Sequence, residues 1–218
     1  MIYRVFRERA DPIWRSILRH PFLGELKDGT LPKESFKFFI AQDFLFLQSM
    51  IKCLRIMEAK ATDGDSKKLL SEMRHSSESV EIESLNRLAE RLGGIDFKAV
   101  RYAPTCYAYT RHLLCTASLG SFVEAMAAIV PCYWSYMEIG EYLQGSSDSL
   151  YDEWIKTYIS KEYKGLVSEI LEALNRAGRS ESEESINEAM KVFLISSEYE
   201  YMFWDMAHKR ESWAHNLY

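Results

Sequence analysis

The chain has 218 residues, 47% hydrophobic and 13% aromatic, ample for one folded domain over residues 1–218. Its 27 basic residues are interspersed with 32 acidic ones, for a net charge of −5, which argues against a nucleic-acid binder with a clustered Lys/Arg face. No apolar run approaches the ~18 residues of a membrane span, and the start, Met1 to Arg9, has no apolar signal core, so a cytoplasmic protein with reduced thiols is expected.

Apolar residues recur at three and four along nearly every segment and β-branched alternation is weak, so the spacing predicts an all-α fold. The first helix covers about 2 to 19 and stops at His20-Pro21; the second opens at Pro32 and runs to about Lys60. After a turn at Thr62-Asp63-Gly64-Asp65, one long amphipathic helix is expected from about Ser66 to Arg91, ended by Gly93-Gly94. Pro104 begins another, to about Leu119. The next, about 121 to 143, contains Pro131, which removes a backbone hydrogen bond, bends the helix and re-aims Cys132. Helices over about 148–159 and 161–177 follow, and Ser180 with Glu183 forms a capping-box signature for a last helix over about 181–208.

Some polar residues fall where this periodicity calls for apolar ones. Asp43 is flanked at helical spacing by Phe39, Ile40, Phe46 and Leu47. Glu200 shares a stripe with Ala189, Phe193, Ser197, Phe203 and Trp204. Two inward acids on distant helices repel if both are charged and unaccompanied, so a ligand that bonds to them is attractive; a structural salt bridge or backbone cap is the ordinary alternative. Cys132 lies on a ladder with Ala128 and Tyr136. The four cysteines, Cys53, Cys106, Cys115 and Cys132, have no metal spacing, and their plain reading is small buried hydrophobes. Tyr102, Tyr107, Tyr109, Tyr133, Tyr136, Tyr158, Tyr199 and Tyr201 lie on or beside helices, and several facing two acids would form a flat slot for a heteroaromatic ring.

In order along the chain, His20-Pro21-Phe22, Asp28-Gly29-Thr30-Leu31-Pro32, Gln42-Asp43, Ala103 to Thr110, Pro131-Cys132-Tyr133-Trp134, Trp154 to Tyr158 and Ser196 to Trp204 resemble the TenA/thiaminase II family over nearly the whole length. The resemblance implies a haem-oxygenase-like helical bundle, assembled as a homotetramer, and a cysteine-bearing aminopyrimidine aminohydrolase that also cleaves thiamine. It further implies Cys132 as nucleophile, Glu200 as proton shuttle and Asp43 as the holder of the ring nitrogen and exocyclic amine. Tyr109 and Phe203 hold or stack the ring, and Tyr136 and Tyr158 lie near the leaving group or thiol. Phe46 departs from the pattern, since many relatives have a tyrosine there. No cofactor or metal is implied. Two other classes stand beside this one: a di-metal or cofactor-synthesising oxidase of the same fold, for which Asp205 and His208 have i, i+3 spacing, and a non-catalytic helical binding protein.

Overall fold

A computed structural model of the chain describes residues 1–215, less the side chain of Val80. Among these residues lie ten α-helices, one π-helical turn and no strand. The helices are α1 (Ile2–Leu18), α2 (Pro21–Asp28), α3 (Lys33–Lys60), α4 (Gly64–Ser76), α5 (Ile82–Arg91), α6 (Pro104–Leu119), α7 (Phe122–Leu143), α8 (Ser149–Ile159), α9 (Lys161–Ala177) and α10 (Glu183–Lys209). The π turn, Ser77–Glu81, joins α4 to α5.

Most boundaries follow from capping chemistry. Arg19 closes α1 and His20 starts α2, its Nδ1 accepting the Phe22 amide at 3.2 Å, with Pro21 in the first turn and Gly29 in the left-handed region at φ 75° closing the helix. This short helix was not expected, because its eight residues offer barely two turns of periodicity. The capping box predicted at Ser180 and Glu183 is also absent: Ser182 is the cap of α10, accepting the Ser185 amide at 3.1 Å. A true capping box opens α7, where Ser121 and Glu124 satisfy each other's backbone amides.

The expected single helix over 66–91 is instead α4, the π turn and α5 in line. A π turn takes in an extra residue, so everything beyond it is rotated relative to an unbroken helix, and such turns are frequent at functional sites. Here the rotation carries Glu81 inward, toward α3 and α7.

Helix α10 runs along α7, with α1 and α6 on its flanks, while α3 packs on α6 and α4. Their shared interior is strongly aromatic. The Trp204 ring stacks on Phe39 at 5.1 Å, and Phe22, Tyr136 and Trp154 crowd around the pair. Each such buried side chain contributes about 2–3 kcal/mol, so this cluster is a stiff floor for whatever is built above it. Among the described residues no helix is long and apolar enough to cross a membrane.

Candidate active site

Four helices bring polar groups to the upper side of this floor. On α10, Glu200 is 2% exposed, and the Tyr109 hydroxyl from α6 donates to its Oε1 at 2.6 Å. Burial pushes the Glu200 carboxyl up to about 7, while the Tyr109 bond pulls the other way. At neutral pH the group is thus divided between acid and base, the condition for passing a proton in either direction. Tyr109 itself stays protonated, because burial first and then the Glu200 charge hold its hydroxyl well above the usual range.

Asp43, on α3, is 7% exposed. Burial, then the Glu81 and Glu200 carboxyls, raise its pKa well above the ordinary carboxylate value. It forms no hydrogen bond with another described residue. Its neighbour Gln42 is fully engaged by contrast, donating to the Arg101 carbonyl and accepting the Ala103 amide, both at 2.9 Å. Gln42 therefore fixes the chain that leads into α6, and Asp43 is left facing open space.

Cys132 follows Pro131 within α7, which continues unbroken through the proline, and the thiol is half-buried. Burial, with the Glu200, Asp43 and Glu81 carboxyls, raises the thiol well above its usual value. No cation offsets them in that balance, so the resting group is SH rather than S⁻. Of the other cysteines, Cys53 and Cys106 are buried as expected, whereas Cys115 is exposed, because it falls on the outer face of α6.

A narrow slot joins these groups, lined by Asp43, Phe46, Tyr109, Cys132, Tyr136, Glu200 and Phe203. Phe46 lies 5.1 Å from Tyr109 and 5.7 Å from Phe203, centroid to centroid, so the walls are flat and close. Tyr158 is not in the slot. It lines the adjoining chamber, which shares Asp43, Phe46, Cys132 and Tyr136 and adds Tyr133, Tyr163 and Glu81, and its ring meets Tyr136 edge-on at 5.0 Å. That chamber gives onto a cavity of about 320 Å³, sharing Asp43, Glu81, Tyr158 and Tyr163 with it. All eight residues singled out from the sequence thus surround one connected space.

Glu81 went unnoticed in the sequence, as did Tyr163, while Tyr133 was noted only as one of several tyrosines on the helices. Glu81 accepts the Ser77 hydroxyl at 2.7 Å, and burial raises its carboxyl despite that bond. Its inward position depends on the π turn, which an ideal 3.6-residue wheel places out of phase.

Among the described residues no group of three His, Cys, Asp or Glu side chains is disposed to hold a metal ion. Asp205 pairs with Lys209 at 2.7 Å and His208 with Glu25 at 3.1 Å, both away from the slot. What converges is a soft nucleophile, a carboxyl poised near neutrality, an unpartnered acid and aromatic walls. That set suits covalent attack on a flat, hydrogen-bonding heterocycle.

The TENA/THI-4/PQQC family profile matches residues 7–210. The chain is 35% identical over 215 residues to the aminopyrimidine aminohydrolase of Halalkalibacterium halodurans, covering 96% of each sequence. It superposes on a TenA homologue from P. horikoshii with TM-score 0.89 at 32% identity, covering 96% of this chain and 99% of that one. A Shewanella denitrificans domain with a haem-oxygenase-like fold, 15% identical, aligns with TM-score 0.77 over 95% of this chain and 92% of its own, a likeness of fold alone.

Proposed function

The chain belongs to the TENA/THI-4/PQQC family, and from that premise we propose that it is an aminopyrimidine aminohydrolase that works through a covalent cysteine adduct. It is a hydrolase acting on C–N bonds in thiamine metabolism, turning 4-amino-5-aminomethyl-2-methylpyrimidine, and thiamine, into the hydroxymethylpyrimidine. The observation that carries the reading is Asp43, a residue 7% exposed whose carboxyl makes no hydrogen bond to another described residue and opens onto the same narrow slot as Cys132 and Glu200. A ring presenting an amine and a ring nitrogen would give that carboxyl the partners the protein does not supply.

In this reading the ring enters between Phe46, Phe203 and Tyr109, with its exocyclic amine and a ring nitrogen on Asp43. The Cys132 sulfur bonds to the ring carbon beside the other ring nitrogen while Glu200 takes the thiol proton and delivers it to that nitrogen. Aromaticity is lost, and the electron pair of the adduct expels the substituent from the 5-methylene carbon. Water adds to the exocyclic methylene, the ring nitrogen returns its proton through Glu200, and the thiol departs. Tyr136 and Tyr158 flank the thiol on the leaving-group side. Phe46 supplies a stacking face with no hydroxyl.

A thiol with a raised pKa fits this scheme, because the sulfur loses its proton only as the ring gains it. On this reading the chain is one of the thiol-using members of its family, with Cys132 in the slot as the supporting observation. Assembly of copies of the chain, as a homotetramer in the cytoplasm, belongs to the same reading; apolar Ile195 and Met202, exposed seven residues apart on α10, suit contact with another copy. The test is direct: purified protein given either substrate must release hydroxymethylpyrimidine, and a folded protein that releases none defeats the proposal.

A further inference from the structure

Among the acids that line the slot and its adjoining chamber, Glu81 is the one to which the reaction above gives no task. It lines the chamber that contains Cys132 but not the slot that contains Glu200, while Glu200 lines the slot and not that chamber. Cys132 belongs to both. The two carboxyls therefore face the sulfur from different compartments, Glu200 from the slot with the ring-binding groups and Glu81 from the chamber that leads to the outer cavity. The walls of that cavity carry Asp43, Glu72, Glu81 and Glu162 and no Lys, Arg or His. Of these four, only Asp43 and Glu81 also line the Cys132 chamber. Glu81 is oriented by the Ser77 hydroxyl at 2.7 Å, one π turn earlier. Tyr163, also in the chamber, spends its hydroxyl on the Tyr133 carbonyl at 3.0 Å and offers no competing donor.

Once the sulfur is bonded to the ring, the substituent that leaves must project away from the Asp43 and Glu200 edges, into the chamber. Ammonia is a poor leaving group unless it departs carrying the proton that completes it. Resting on the reading given above, we infer that Glu81 is a catalytic residue that carries the proton of the departing amine. The amine and Glu81 share one proton, as neutral amine with carboxylic acid or as ammonium with carboxylate. As the C–N bond breaks, its electron pair leaves on nitrogen, ammonia departs with that proton, and Glu81 remains a carboxylate. The incoming water forms the new C–O bond and gives its proton to Glu81, which restores the starting state. No oxidant, reductant or further reactant is required.

Thiamine supplies the control, because its thiazolium nitrogen is already quaternary and departs as a neutral thiazole with no proton needed. The water step is common to both substrates, so the difference between them isolates departure. Glu81→Gln is assayed on 4-amino-5-aminomethyl-2-methylpyrimidine and on thiamine, beside Ser77→Ala, which keeps the carboxyl and removes the hydroxyl that orients it. The expected result is a loss in kcat of about 10²-fold on the aminomethyl substrate, at least about tenfold greater than the loss on thiamine. Ser77→Ala shows the same bias at smaller amplitude, and alone decides the matter if Glu81→Gln does not fold. Equal losses on the two substrates overturn the inference while leaving the hydrolase reading intact. Absence of turnover by the unmodified protein on either substrate overturns both.

Discussion

The hydroxyl of Tyr109 and the carboxyl of Glu200 meet at 2.6 Å inside the bundle, with both side chains at most 2% exposed. The bond joins α6 to α10, holds the carboxyl in one orientation and does so without a positive charge. A cation there would lock Glu200 as a carboxylate. A phenol leaves burial as the dominant influence, so the group titrates at about 7, the range that the proposed transfer of a proton from sulfur to a ring nitrogen requires.

That titration predicts a pH signature in stability. Below the usual carboxylate value of 4.5 both folded and unfolded chains hold the proton; between 4.5 and about 7 the unfolded chain gives it up and the folded one keeps it. The contribution is therefore present in full below 4.5 and is lost as pH rises through about 7, roughly 3 kcal/mol in all. Glu200→Gln, which preserves the Tyr109 bond, has no such dependence. Denaturant unfolding at pH 5 and pH 8 is expected to show the variant gaining on the parent by a few kcal/mol, and parallel curves would contradict the assignment.

Cys132→Ala is expected to reduce hydrolysis of either substrate by at least ~10³-fold, with far-ultraviolet circular dichroism unchanged. The substitution removes one sulfur from a half-buried position, so loss of fold is not the anticipated result. Activity within a few-fold of the parent would mean that water attacks without the thiol.

Cysteine reactivity should reverse the order that a nucleophile suggests. Cys132 is held as the thiol by burial and by three carboxyls, whereas Cys115 is exposed. Iodoacetamide at pH 7 followed by peptide mass mapping is expected to label Cys115 first and Cys132 slowly, since only the thiolate attacks rapidly. Fast labelling of Cys132 at that pH would mean that a group beside the thiol removes its proton, contrary to the three surrounding carboxyls.

Gln42→Leu leaves the buried Ala103 amide without its acceptor and removes the donor to the Arg101 carbonyl. An unsatisfied buried amide costs about 1–3 kcal/mol, so thermal unfolding should show a loss of that order. Activity should fall too, because α6, which carries Tyr109, starts immediately after this clamp.

Much of this was readable from residues alone, and the exceptions share a cause. Asp43 and Glu200 each interrupt an apolar stripe on a long regular helix, and periodicity is reliable over helices of 28 and 27 residues. The helix over 21–28 escaped because two turns give periodicity little to work on, although His20, Pro21 and Gly29 carried its caps. Glu81 escaped for a different reason. Within Ser77-Glu78-Ser79-Val80-Glu81 nothing distinguishes one glutamate from the other on a helical wheel, and only the π turn separates them, leaving Glu78 on Arg55 and Arg74 while Glu81 turns inward. The displaced cap of α10 arose from a run of Ser and Glu, Ser180 to Ser185, that offers two caps in different registers. That Gln42 would secure the approach to α6, leaving its neighbour free, required the distant contact with residues 101–103 to be known.

The central claim is that Asp43, Cys132 and Glu200 close on one pyrimidine ring, and a crystal structure with hydroxymethylpyrimidine bound tests it most directly. The account predicts the ring stacked between Phe46 and Phe203, its amine on Asp43, a ring nitrogen on Glu200, and the Cys132 sulfur about 3–3.5 Å from the ring carbon it attacks. A ring bound in the outer cavity, with Cys132 and Glu200 both out of reach, would contradict it.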